Sequence, residues 1–169
     1  MSPKTKLVLN LLIVIVGLDQ ATKLLVDRTL FLYQSIPMIE NLFSLTYIRN
    51  TGAAFGLLAQ SGELFRRTFL IAFSLAAIGF IIVMLRRLPE DEKLLTIALG
   101  FILGGAVGNL IDRLVYGEVI DFLDFYWSTY HWPAFNVADS FITVGVVLIM
   151  VRLATSKDAD PFAPRARIG

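Results

Sequence analysis

Two aspartates, Asp121 and Asp139, carry the clearest chemical signal in this chain. Asp121 sits in Val119-Ile120-Asp121-Phe122, and Asp139 in Phe135-Asn136-Val137-Ala138-Asp139-Ser140, just where a long apolar run begins. An ionised carboxylate in or beside lipid is costly, so each calls for a partner or a task. Two carboxylates brought together share one proton and can activate water, which is the chemistry of an aspartic hydrolase. Such a pair titrates as a unit, and spacing alone leaves open which acid is the base.

The background against which these acids stand is apolar. The chain has 169 residues, of which 56% are hydrophobic and only 17% charged, and its mean hydropathy is +0.71. That is the composition of one small integral membrane domain, expected over residues 1–154, followed by a short disordered tail at 155–169. A net charge of +1 with no basic stripe gives no reason to expect nucleic acid. The absence of cysteine removes disulfides and thiolate metal sites, and His131, the one histidine, cannot build a two-histidine zinc site. No metal or cofactor is therefore expected.

Four apolar runs are long enough to cross a bilayer, at about 7–26, 68–85, 94–114 and 137–153. Lys4, Lys6, Arg86, Arg87, Lys93, Arg152 and Lys157 flank one side, and Arg28, Arg49, Arg66, Arg67 and Arg113 the other. This bias favours cytoplasmic termini, with segments 27–67 and 115–136 facing outward. Asp19-Gln20-Ala21-Thr22-Lys23 is a poor cleavage site, so the first apolar run is read as an uncleaved helix. Phe43, Leu45 and Tyr47 alternate with Ser44 and Thr46, which predicts an outward β-element over about 30–58 resting at the membrane surface. Asn50-Thr51-Gly52 then reads as a turn.

Polar residues gather at one depth. Asp19, Gln20 and Lys23 lie in the outer half of the first span, Asn109, Asp112 and Arg113 at the outer end of the third, and Asn136 and Asp139 at the outer start of the fourth. A transporter would be expected to place polar groups at the midplane, so this distribution argues against transport. Asp19 and Lys23, four apart, suit an ion pair, and Lys23 could also snorkel outward. Gly104, Gly105 and Gly108 suit close helix packing that would draw the third and fourth spans together. Asp112-Arg113 reads either as a capping pair or as an arginine serving a carboxylate or substrate carbonyl. Asn136 is a good N-cap, which places Asp139 in the first turn of its helix. Asp124 lies among Phe122, Phe125, Tyr126 and Trp127 without polar companions and is expected to be solvated, and His131 to be a surface residue.

These motifs, in this order, resemble those of bacterial lipoprotein signal peptidase (signal peptidase II). The matching elements are Asp19-Gln20 with Lys23, Asn50-Thr51-Gly52-Ala53-Ala54-Phe55, Gly104-Gly105-Ala106-Val107-Gly108-Asn109-Leu110-Ile111-Asp112-Arg113, Val119-Ile120-Asp121-Phe122 and Phe135-Asn136-Val137-Ala138-Asp139. The resemblance spans about residues 10–150. It implies an all-α membrane core of four transmembrane helices with a small extracytoplasmic β-cradle and a loop or short helix over the site. It implies an aspartic endopeptidase of the bacterial inner membrane, with Asp121 and Asp139 catalytic. Asn50, Gly52, Asn109, Arg113, Asn136, Asp19, Lys23 and Asp112 would bind substrate or support the pair. The implied substrate is a prolipoprotein carrying a diacylglyceryl cysteine, drawn from the membrane lipid phase and cleaved just before that cysteine, and globomycin is the implied type of inhibitor. Two rivals follow from the residues: a Ser–Lys peptidase using Lys23 with Ser61 or Ser140, and a non-catalytic scaffold or transporter whose acids are merely paired.

Overall fold

The computed structural model describes residues 1–52 and 62–155. Four helices long and apolar enough to cross a membrane, α1 (Pro3–Thr29), α2 (Glu63–Arg87), α3 (Lys93–Val115) and α4 (Val137–Thr155), carry a small sheet at one end. The sheet comprises β1 (Ser35–Ile39), β2 (Phe43–Asn50), β3 (Val119–Trp127) and β4 (Tyr130–His131), antiparallel in that order. The helices overrun the spans expected from sequence, most at the start of α1 and α2 and by only one or two residues in α3 and α4. Only the apolar stretch reads as a span in sequence, whereas backbone hydrogen bonding continues until a cap. In α1 the Ser2 hydroxyl accepts from the Thr5 amide at 3.2 Å, with proline in the first turn.

α3 is the central helix. Of its apolar window 61% is buried, against 11–17% in the other three. Glycine makes this possible: a Cβ at Gly105 would collide with the Ala138 carbonyl, and one at Gly108 would sit 2.6 Å from an Asp19 carboxylate oxygen. Small residues thus let α4 approach α3 closely, as the spacing predicts, and let α1 do the same, which the spacing did not indicate. Phe101 and Phe141 meet edge to face at 5.1 Å across the α3–α4 seam. Away from the sheet, Ile81, Leu85, Leu88, Leu95, Leu99 and Leu103 form one core; beneath the sheet, Val26, Tyr47, Ile120 and Phe122 form another.

The sheet is larger than the β-element expected over 30–58. Residues 119–131 contribute β3 and β4, which alternation did not reveal. In Val119-Ile120-Asp121-Phe122 both faces are buried, so apolar residues run on without a period of two. Residues 53–58 of the expected element, including Ala53, Ala54 and Phe55, lie outside the described residues, as do Ser61 and 156–169 of the expected tail. Among the described residues, the loop 132–136 between β4 and α4 lines the site, and no short helix is found there.

Candidate active site

β3 and the head of α4 bring the two acids to one cleft. Asp121 and Asp139 both line a cavity of about 810 Å³, whose walls include Ile48, Asn50, Trp132, Phe135 and Val144. Asn136 is the bridge between them. Its side-chain amide donates to Asp121 Oδ1 at 2.7 Å, and its backbone N–H points to Asp139 Oδ2 at 3.3 Å. Asp139 N–H in turn donates to Asn136 Oδ1 at 2.9 Å, so Asn136 and Asp139 close a reciprocal box at the start of α4. Asn50 donates to Asp121 Oδ2 at 2.8 Å, and Asn109 to Asp139 Oδ1 at 2.7 Å. Each acid is therefore fixed by an amide on one oxygen and by Asn136 on the other.

Asp121 is only 2% exposed. Burial raises its pKa from the ordinary 3.8 to about 7, with Asp139 pushing the same way and the Asn50 and Asn136 hydrogen bonds opposing. An acid poised near neutrality can hold or release a proton at physiological pH, which general acid–base chemistry requires.

A buried ionic network positions both acid-bearing segments. Lys23 Nζ donates to Asp19 Oδ2 at 2.8 Å, Asp112 Oδ2 at 2.9 Å and Asn109 Oδ1 at 2.9 Å. Asp112 Oδ2 also accepts from the Ile120 amide at 3.1 Å, and Asp19 Oδ1 from the Ala138 amide at 2.9 Å. Each buried acid thus grips the N–H of the residue just before Asp121 or Asp139. Gln20 completes the set by donating to Asp112 Oδ1 at 2.8 Å and weakly to Asp19 Oδ2 and the Gly108 carbonyl, both at 3.2 Å. Its contribution was missed in sequence, although its place beside Asp19 at the same depth was the available signal.

The remaining expected residues fall as follows. Gly52, at φ +87°, donates its N–H to Asn50 Oδ1 at 2.8 Å, so Asn50 holds the turn with its oxygen and Asp121 with its amide. Arg113 makes a long 3.4 Å contact to the Ser74 hydroxyl and stays near enough to Asp139, Asp121 and Asp112 for charge attraction.

Several expectations are corrected. Asp112 and Arg113 are not a capping pair, because Asp112 turns inward to Lys23. Lys23 does not snorkel; it is 2% exposed with all three donors engaged. Asp27, four residues from Lys23, instead faces Arg49 at 2.6 Å. Asp124 is not solvated: it is buried, and both its oxygens lie 3.0 Å from His131 Nδ1 on the exposed β4 hairpin. The reason is strand periodicity. Residues three apart on a strand face opposite sides, so β3 sends Asp121 into the cleft and Asp124 away from it. For the Ser–Lys rival, a lysine held between two carboxylates is a poor base, and the Ser140 hydroxyl is turned to the Asn136 carbonyl at 2.9 Å.

A polytopic membrane protein whose buried acid pair opens on a cleft at the bundle's end is the class that fold and site define. A sequence model of the family described as Signal peptidase (SPase) II matches residues 11–155. The lipoprotein signal peptidase of Geobacter sulfurreducens is 60% identical over 134 residues, covering 79% of this chain and 82% of that protein. That of Geobacter metallireducens is 59% identical over 132 residues, covering 78% and 80%. A solved bacterial membrane enzyme, determined by the in meso method at 1.9 Å resolution, superposes with a TM-score of 0.76 at 30% identity, covering 90% of this chain and 95% of its own. The chain belongs to the signal peptidase II family, and it is a multi-pass membrane protease.

Proposed function

We propose that this protease is an aspartic endopeptidase that removes the signal peptide from diacylglyceryl-modified prolipoproteins, using Asp121 and Asp139. The observation that carries the reading is the bridge made by Asn136, whose side-chain amide holds Asp121 and whose backbone N–H points to Asp139 in one cleft. One ionised carboxylate takes a proton from water as its oxygen attacks the scissile carbonyl. The protonated partner donates to that carbonyl oxygen, and a proton then passes to the leaving amine as the peptide C–N bond breaks. Asn50, Asn109, Arg113 and Asn136 hold the acids or the substrate backbone, and Gly52 closes the turn that sets Asn50. Asp19, Lys23 and Asp112 act from behind through the backbone.

Ile48, Trp132, Phe135 and Val144 give the cleft apolar walls, which suit the lipid on the cysteine at roughly 0.8 kcal/mol per buried CH₂. A globomycin-type inhibitor would occupy the same cleft. The basic flanks at the end opposite the sheet support cytoplasmic termini in a bacterial inner membrane, with residues 1–154 as one domain and the site near the outer leaflet. Phe31, Tyr33, Trp127 and Tyr130 are exposed on or beside the sheet, as aromatics at a headgroup interface are.

The test is processing of a lipid-modified precursor, read on a gel. Asp121→Asn and Asp139→Asn should each reduce cleavage by about a thousandfold or more, and EDTA should leave wild-type cleavage unchanged. Full activity in either variant removes the pair assignment. EDTA inhibition reversed by zinc would replace it with a metal mechanism.

A further inference from the structure

The back of β2 carries a second polar cluster that none of the proposed chemistry uses. Ile48 and Asn50 face the cleft, whereas Tyr47 and Arg49 alternate to the other side. There Arg49 Nη2 pairs with Asp27 Oδ1 near the end of α1 at 2.6 Å, and Arg49 Nε donates to the Tyr47 hydroxyl at 2.7 Å. The Tyr47 hydroxyl donates to the same Asp27 oxygen. The guanidinium also lies over the ring of Tyr116, just past α3, 4.7 Å from its centroid. One arginine thus joins the ends of two membrane helices to one strand through a charge pair, a charge-assisted hydrogen bond and a cation–π contact. Tyr47 itself is buried in the apolar cluster with Val26, Ile120 and Phe122. Burial and the bond to Asp27 push its phenol above its ordinary value, so it remains a donor.

Arg49 and Asn50 pair with Ile120 and Val119 on β3, one and two residues from Asp121. The β2–β3 register is irregular between Leu45 and Ile48, so ladder hydrogen bonds alone do not set the strand's position there. We infer that Asp27, Tyr47, Arg49 and Tyr116 form a positioning clasp that holds β2 so that the Asn50 amide stays within hydrogen-bond reach of Asp121. None of these four residues lines the cleft that holds the acids, so the clasp acts through Asn50. It rests on the reading of Asp121 as a catalytic acid.

The experiment measures kcat and KM against pH for precursor cleavage by the full chain in detergent. It compares wild type, Arg49→Ala, Asn50→Ala, the double variant and Tyr47→Phe. Arg49→Ala should lower kcat by about tenfold to a hundredfold with KM within about twofold. The pH limb that reports Asp121 should move upward, because that acid loses a donor to its charged form while Asp139, Lys23 and Arg113 still face it. Asn50→Ala should reproduce both effects, and the double variant should be no worse than Asn50→Ala alone, as for two residues acting through one bond. Tyr47→Phe removes one hydroxyl, should lower kcat by about threefold to tenfold, and serves if Arg49→Ala does not fold. Additive losses in the double variant, a raised KM with intact kcat, or wild-type rates in Tyr47→Phe would overturn the clasp. A wild type that yields no cleaved product would instead overturn the peptidase reading beneath it.

Discussion

The two ends of the helical bundle bury charge in different amounts and for different ends. At the end away from the sheet, a leucine-rich core is closed by Arg152 with Glu92 at 3.0 Å and by Lys4 with the Leu88 carbonyl at 2.6 Å. Glu92 is buried there as well, but it is a single acid, and its partner Arg152, like Lys4, stays partly exposed at a helix end. At the sheet end, Asp19, Lys23, Asp112 and Asn136 are all at most 2% exposed. A buried ionic cluster of this kind is weak evidence for stability, since replacing it with packed apolar groups is often neutral or favourable. Its presence at one end only teaches that this end is built for placement of the acids.

The contrast can be broken most sharply at its two lysine and arginine centres. Lys23→Met should leave Asp19 and Asp112 unpaired in the interior, lowering stability by about 3–5 kcal/mol and precursor cleavage by about a hundredfold. Arg152→Met, at the other end, takes one partner from Glu92 and should cost about 1–3 kcal/mol and little activity. Equal losses in chemical denaturation and cleavage for the two variants would erase the difference between the ends.

Glycine gives the next largest effect. Gly105→Ala pushes a methyl into the Ala138 carbonyl beside the site and should destabilise by about 1–3 kcal/mol. Gly79→Ala, with nothing within 4 Å of the added carbon, should stabilise by about 0.5–1 kcal/mol. Thermal unfolding in detergent compares the two directly.

A smaller, pH-linked effect sharpens the same point. Because the folded pKa of Asp121 is raised, the native state holds a proton that the unfolded chain has released between the ordinary 3.8 and about 7. Its contribution to stability is therefore full below that window and falls as pH rises through it. Asp121→Asn should flatten this slope in denaturation curves collected from pH 4 to 8. The smallest effect is expected at Asp124: Asp124→Asn keeps the strand, faces away from the cleft, and should leave cleavage within about threefold of wild type. A loss as deep as that of Asp121→Asn would place the wrong acid of β3 in the site.

Much of this was readable along the chain. Four membrane-length helices follow from apolar run length, because lipid leaves the backbone no other partner than itself. The acids at one depth stand out because charge in such a background is expensive. Glycine at spacing four points to the close α3–α4 packing, while the equally close approach of α1 to the same glycines is seen only in the fold.

What could not be read locally depends on direction and partnership. The identity of residue 124 as a buried acid bound to His131, and not a solvated one, follows from a strand whose two faces are both covered. Lys23 has acids four residues away on either side, and only the tertiary structure turns Asp19 towards it and Asp27 towards Arg49. Asn136 looks like an ordinary helix cap, yet folding carries β3 to within 2.7 Å of its amide. The linear order of residues thus determined the span count and the inventory of polar groups, which depend on composition and period. The three-dimensional fold decided which group meets which, because hydrogen bonds and ion pairs between distant segments exist only once the helices and sheet have packed.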